Sequence, residues 1–346
     1  MMKKCVLISL AVLVIVSLAA CQGEKKVTIN VYNWGEYIDE SVIGEFEEKH
    51  GINVNYEMFE TNEAMYQKIK PGGVNYDVAF PSDYMVSKMI DEDMLYKVDY
   101  SNIPNYKYID EKFKNLEYDE NNEYSVPYMW GTVGILYNKT IVKEPVDSWN
   151  VLWDEKYKKQ ILMQDSQRET IGVALQKLGY SLNTNNLDEL EEAKQELIKQ
   201  KPLVLAYVVD EVKDKMIGGE AGLAVVWAGD AVFMMEQNPD LAYAVPKTGS
   251  NVFVDAMVIP KTSKHKKEAE MFINFMCETE TALKNTNFIG YSTPHTETKK
   301  MLEPEIANDP VAYPDDDILE KCEVYRDLGE MVKVYDRIWT EIKAAK

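Results

Sequence analysis

From residue 27 onward the chain alternates between two hydrophobic rhythms. Residues 27–32 (VTINVY) carry apolar side chains at every second position, the period of a half-buried strand, and end at Asn33-Trp34-Gly35. Val42, Ile43 and Phe46 then recur at helical spacing and stop before Gly51. Ile52, Val54, Tyr56 and Met58 return to period two. Residues 76–80 predict a third strand, broken by Pro81 and followed by a short helix near residues 84–90.

The middle of the chain repeats this order. Residues 161–163 predict a strand, and residues 166–178 a helix closed by Gly179, with Ser166 as N-cap and Glu169 at the capping-box position. Residues 203–208 and 223–227 (LAVVW) predict strands, the second entering a turn at Ala228-Gly229-Asp230. Residues 256–259 are apolar again, a basic helix start follows at 264–267, and residues 319–342 predict a helix. Strands separated by helices call for parallel sheets covered on both faces.

At 346 residues the chain is long for one hydrophobic core and suits two. No Pro/Ser-rich linker or short repeat divides it. Two lobes joined by strands that cross between them meet both conditions. The crossings are expected near residues 128–134 and 251–258, with a third pass near 291–301. The expected fold class is α/β: two doubly wound lobes with a ligand cleft between them.

The first twenty residues stand outside this pattern. Lys3 and Lys4 precede an apolar run, residues 5–17, too short to span a bilayer comfortably. Leu18-Ala19-Ala20-Cys21 then resembles the lipobox of bacterial lipoproteins, in which the Cys thiol carries a diacylglycerol and cleavage occurs just before it. The expectation is a signal peptide over 1–20, lipidated Cys21 and a polar tether over 21–26. Two or more acyl chains, at roughly 0.8 kcal/mol per buried CH2, anchor a protein stably. Removing Cys5 and lipidating Cys21 leaves Cys277 and Cys322, open both to pairing and to a reading as buried free thiols.

Composition narrows the chemistry. Hydrophobic residues make up 46% and charged residues 28%, so the chain is globular. A net charge of -20 repels phosphate and argues against nucleic acid. His50, His265 and His295 lack metal-ligand spacing, and no CxxC, HExxH, G-x-S-x-G, Walker A or G-x-G-x-x-G motif occurs. With no nucleophile–base pair in view, an enzyme is not expected, nor is a cofactor or a metal.

Ligands of doubly wound sheets bind at the carboxyl ends of strands. There the sequence places Trp34, Glu36 and Tyr37; Ser82 and Tyr84; Asp165, Ser166 and Glu169; and Trp227. Phe253 and Asp255 lie at the return crossing, and Tyr291 follows Gly290. This set is aromatic and acidic, with Arg168 as its one basic neighbour. It suits an elongated organic cation, because aromatic faces attract ammonium and methylene groups while carboxylates neutralise charge. Each member has an ordinary alternative: Trp34 and Trp227 as core aromatics, Glu169 as half of a capping box, Asp255 as a turn residue, and Tyr84 as one of 22 tyrosines. Jointly they are harder to explain, since an unpaired carboxylate in a closed cleft costs several kcal/mol.

At these residues the chain closely resembles the spermidine/putrescine-binding proteins of bacterial polyamine ABC importers. The likeness runs from residue 27 to residue 346 through VYNWGEYI (31–38), NEAMYQKI (62–69), FPSDYMVSKM (80–89), YSVPYMWGTVGILYN (124–138), DSQRE (165–169), LQKLGYSLN (175–183), VDAMVIP (254–260), IGYSTPH (289–295) and ANDPVAYP (307–314). The resemblance implies a type II periplasmic-binding-protein fold that closes on its ligand. It implies that Trp34, Tyr37, Trp227, Phe253 and Tyr291 box the methylene chain. Glu36, Glu169 and Asp255 would meet the amines, Asp255 the inner one and Glu169 a terminal one. Ser82, Tyr84, Asp165 and Ser166 would add hydrogen bonds.

The chain departs from the best-known members at four places. Gly35 stands for a Thr, Ser166 for an Asp, Phe253 for a Trp and Tyr325 for a Gln. These changes touch the ends of the site and leave the choice between spermidine and putrescine open. The implied partners are a polyamine, an ABC permease with its ATPase subunits, and the membrane through Cys21; a monomer is expected. The implied location is the outer face of the cell membrane, or the periplasm if the host has an outer membrane. The lobes are expected as 27–131 with 255–302, and 132–254 with 303–346. A carrier of another organic cation or of a metal is the alternative on the same fold. A lipid-anchored adhesin with an incidental cleft is the alternative outside it.

Overall fold

The computed structural model describes residues 26–345. The expected signal peptide (1–20), Cys21 and residues 22–25 of the tether lie outside the described residues. Among the described residues nine strands form one sheet: β1 (Thr28–Trp34), β2 (Asn53–Phe59), β3 (Val78–Ala79), β4 (Ser125–Asn138), β5 (Ile161–Gln164), β6 (Val204–Val208), β7 (Leu223–Trp227), β8 (Leu241–Ala244) and β9 (Val252–Val258). Their spatial order is β2-β1-β3-β9-β4-β7-β5-β6, with β8 also paired to β4.

The path has two halves. In one, β1 runs parallel to β2 and β3, and β9 lies antiparallel to β3. In the other, β5 runs parallel to β6 and β7. The 14-residue β4 belongs to both. Its Ser125–Thr132 stretch pairs with β9, and its Val133–Asn138 stretch pairs with β7 and β8. One buried cluster draws on Ile29, Val31, Phe46, Val78, Trp130, Val258 and Phe272. Separate clusters around Ile135, Leu162 and Trp339 fill the other half. Each fully buried Val, Ile or Phe contributes roughly 1.5–3 kcal/mol relative to exposure. Two cores joined by β4 and β9 are the observed form of the expected crossing strands.

Three expectations change. The turn at Ala228-Gly229-Asp230 is instead the first turn of a helix, Ala228–Gln237, which starts directly from the extended backbone of Trp227. The helix expected over 319–342 is interrupted. A short helix, Asp316–Leu319, is followed by an irregular stretch, and a 3-10 turn at Gly329–Met331 leads into the helix Val332–Ala344. Tertiary pairing overrides the local pattern there, because Glu323 accepts from Val252 N at 3.0 Å and donates its own N–H to Ser250 O at 2.9 Å. In β2 the alternation slips: Met58 is 60% exposed and Phe59 is buried against Tyr32 and Trp34. Among the described residues β2 pairs only with β1, so its face is set by packing at one edge. Cys277 and Cys322 are both free thiols, the first buried.

Candidate functional site

β1 ends at Trp34, and the chain turns at Gly35-Glu36 before Tyr37 re-enters the interior. Glu36 holds φ at 53°, a left-handed conformation uncommon outside Gly, Asn and Asp. The Trp34 indole donates Nε1–H to Phe80 O at 2.7 Å, which ties the ring to the end of β3. A Cβ on Gly35 would meet nothing within 4 Å, so the space of a longer side chain is open.

Three side chains meet at the centre. Asp255, on β9, is 6% exposed. Its Oδ2 accepts from the Tyr37 hydroxyl at 2.7 Å, and its Oδ1 accepts from Ser82 Oγ at 2.6 Å. Among the described residues no Lys or Arg nitrogen pairs with it. Burial pushes its carboxyl up to about 6, with the Ser82 and Tyr37 hydrogen bonds pulling the other way. Tyr37 packs edge-on against Tyr128 and Tyr291, each at 5.7 Å between ring centroids, and Tyr291 meets Phe253 at 5.9 Å. An aromatic wall thus surrounds a buried carboxylate that lacks a cation.

The second half of the sheet reaches this wall through Gly229. A Cβ there would stand 2.6 Å from the Tyr291 ring. Glycine at that position, directly after Trp227 and Ala228, lets the two halves close on each other. Trp227 is partly buried at the end of β7, with Val133 of β4 as its register partner.

Glu169 lies in the first turn of the helix Gln167–Leu178. Ser166 takes the N-cap conformation but makes no side-chain cap bond, so the expected capping box does not form. Instead Glu169 Oε2 accepts from the Tyr325 hydroxyl at 3.0 Å. Burial pushes the Glu169 carboxyl up to about 7, with Tyr325 and Arg168 opposing. Arg168 is turned aside: its guanidinium lies 4.2 Å from the Tyr325 ring centroid and donates to Arg326 O and Asn183 Oδ1. Gly172 gives Tyr325 its place, since a Cβ there would stand 2.8 Å from the Tyr325 hydroxyl.

Other expected residues have different company. The Tyr84 hydroxyl donates to Glu63 Oε1 at 3.0 Å and accepts from Asn62. Asp165 is exposed and forms a 3.1 Å ion pair with Lys343, apart from Glu169 and Asp255. Glu36 is exposed at the end of β1, near enough to add to the field at Lys213.

Several residues of the region escaped the sequence reading. Asp83, buried beside Ser82, accepts backbone N–H bonds from Tyr84 and Val254, and its carboxyl is held well above its ordinary value by burial. Asp230 and Lys213 form a 3.0 Å ion pair where helices follow β7 and β6. The strand-end rule pointed there too, but the turn expected at 228–230 hid Asp230. No group of three or more His, Cys, Asp or Glu comes together as a metal site among the described residues. No described helix is long and apolar enough to cross a membrane.

A cavity of about 590 Å³ lies on the opposite face of β9, against Val252, Val254, Phe113 and Trp130. No expected site residue lines it, although Val252 and Val254 flank Phe253 and Asp255, and Val324 and Arg326 flank Tyr325. Arg326 pairs there with Glu117 and Lys112 lies 3.9 Å from Asp316, while Glu320 and Glu323 make no ion pair among the described residues. The aromatic–acidic cluster around Asp255 differs from this cavity in that its central acid is buried and has no ion-pair partner among the described residues.

Comparison with known proteins places the chain. Residues 41–314 match the family of bacterial extracellular solute-binding proteins. The spermidine/putrescine-binding periplasmic protein of Salmonella typhimurium is 36% identical over 332 residues, covering 95% of each chain. The spermidine/putrescine ABC transporter substrate-binding protein PotD of Streptococcus pneumoniae superposes with a TM-score of 0.85 at 43% identity, covering 92% of this chain and 99% of that one. The TpPotD lipoprotein of Treponema pallidum superposes with a TM-score of 0.83 at 29% identity, covering 91% and 99%. The chain therefore belongs to the bacterial extracellular solute-binding proteins, with their two-lobed fold, and its family is one of transport proteins rather than enzymes.

Proposed function

We propose that this solute-binding protein captures a polyamine, spermidine or putrescine, in the cleft around Asp255 and delivers it to an ABC permease. The observation that carries this reading is the buried Asp255 carboxylate, held by Tyr37 and Ser82 inside an aromatic wall with no cation beside it. A protonated polyamine offers only N–H donors and methylenes. Its ammonium groups supply the missing charge, and Tyr37, Trp227, Phe253 and Tyr291 cover the apolar spans. Asp255 meets the inner amine and Glu169 a terminal one. Trp34, Gly35, Glu36, Ser82, Tyr84, Ser166 and Tyr325 line the rest of the groove, with Asp165 released from Lys343 when it contributes.

Residues 27–131 with 255–302 are taken as one lobe, and 132–254 with 303–346 as the other; the buried clusters follow this division except that Val252, Val254, Tyr313 and Leu319 pack with the first. Cys21 is taken as the lipid anchor and the protein as a monomer. Polyamine binding to the relatives named above supports the cargo. A thermal-shift panel of polyamines, amino acids, sugars and metal ions tests it. Micromolar spermidine or putrescine should raise the melting temperature. A response confined to another class of solute would overturn the assignment.

A further inference from the structure

We propose that Lys213 is a specificity-determining residue that fills one end of the cleft with the protein's own ammonium and so favours a diamine over a triamine. This rests on the polyamine reading above. β5, β6 and β7 run parallel, so their carboxyl ends share one edge. Lys213 is in the helix Glu211–Ile217 after β6, and Asp230 is in the first turn of the helix after β7. Lys213 Nζ lies 3.0 Å from Asp230 Oδ1 and 3.9 Å from Asp210 Oδ1. The side chain of Asp230 is 16% exposed and that of Lys213 is 34% exposed. Asp230 neighbours Gly229, the residue on which Tyr291 rests. Glu36, at the end of β1, adds a weaker contribution to the field at Lys213.

The cleft therefore has three acidic stations. Asp255 at the centre and Glu169 beside Tyr325 lack an ion-pair partner among the described residues. The third, Asp230, already has one in Lys213. A diamine uses Asp255 and Glu169. A triamine must bring its third ammonium towards Lys213, where it meets a like charge and an acid whose charge is already neutralised. Lys213 is partly exposed, so solvent softens the repulsion, and the expected discrimination is about tenfold.

Calorimetric titration of the full-length protein in detergent with putrescine and spermidine tests this. The wild type should bind putrescine about tenfold more tightly. Lys213→Met keeps the stem and removes the charge; it should tighten spermidine by about tenfold or more and leave putrescine within about twofold. The retained putrescine binding also certifies the fold of the variant. Adding Asp230→Asn to Lys213→Met should abolish the spermidine gain, because the freed carboxylate is what the third ammonium would use. Lys213→Arg should behave as wild type. A wild type that prefers spermidine, or a Lys213→Met variant with an unchanged ratio, overturns the inference while leaving the cargo class standing. Absence of heat with both polyamines in the wild type overturns the cargo reading and this inference with it.

Discussion

Tyr37 and Asp255 lie 218 positions apart in the chain and are joined by a 2.7 Å hydrogen bond from phenol to carboxylate. The bond joins the end of β1 to β9, and the Asp255 carboxylate it holds is buried with no ion-pair partner among the described residues. Asp255→Asn keeps the shape and removes the charge. A charge-assisted hydrogen bond is worth roughly 1.5–3 kcal/mol, so polyamine affinity should fall about ten- to a hundredfold or more. The melting temperature of the empty variant checks its fold. A normally folded Asp255→Asn protein with wild-type affinity contradicts the site assignment.

Burial holds Asp255 up to about 6 and Glu169 up to about 7, above their ordinary values. Both acids bind protons more tightly folded than unfolded. In the empty protein their contribution to stability is full below their ordinary values and is lost as pH rises through about 6 and 7. A bound ammonium reverses the preference and expels the protons. Polyamine affinity should therefore rise between pH 5 and pH 8, roughly tenfold per proton released per pH unit. Titrations in buffers of different ionisation heat count the protons. Affinity that is flat or falling over this range goes against the electrostatic account.

Gly229 is where Tyr291 of one half rests on the other. Gly229→Ala puts a methyl 2.6 Å from that ring and should oppose closure. Overpacking of this kind costs about 1–3 kcal/mol, which should appear as weaker binding with little change in the melting temperature of the empty protein. Small-angle scattering should then register less compaction on adding polyamine than in wild type. Full compaction and full affinity in the variant would mean that this contact does not limit closure.

Trp227→Ala should weaken binding through lost cation–π attraction of about 0.5–2 kcal/mol and further lost packing. Glu189→Gln is the matched control: its carboxylate caps a surface loop through Thr184 and Asn186, away from the cleft, so affinity should hold. Equal losses in the two variants would point to a general effect on the fold rather than to the site.

Much of this was legible in the sequence for identifiable reasons. Strand identity came from the period-two run of residues 27–32 and the apolar run of 223–227; the strand-end rule picked out Tyr37 and Ser82, and the expected return crossing picked out Asp255. What failed depended on tertiary partners. Residues 320–328 have local helical pattern but pair with the start of β9 through Glu323. Glu169 has capping-box spacing but turns to Tyr325, a residue 156 positions away. Lys213 sits among ordinary surface charges in sequence, and only the fold brings it against Asp230.

The central claim is that the closed cleft around Asp255 holds a polyamine. Isothermal titration of the full-length protein with spermidine and putrescine, beside a neutral sugar and an acidic amino acid, tests it most directly. The account predicts saturable one-to-one binding of at least one polyamine at micromolar concentration or below, none of the controls, and loss of that binding in Asp255→Asn. Absence of binding to both polyamines, or equal binding to the acidic control, would contradict it.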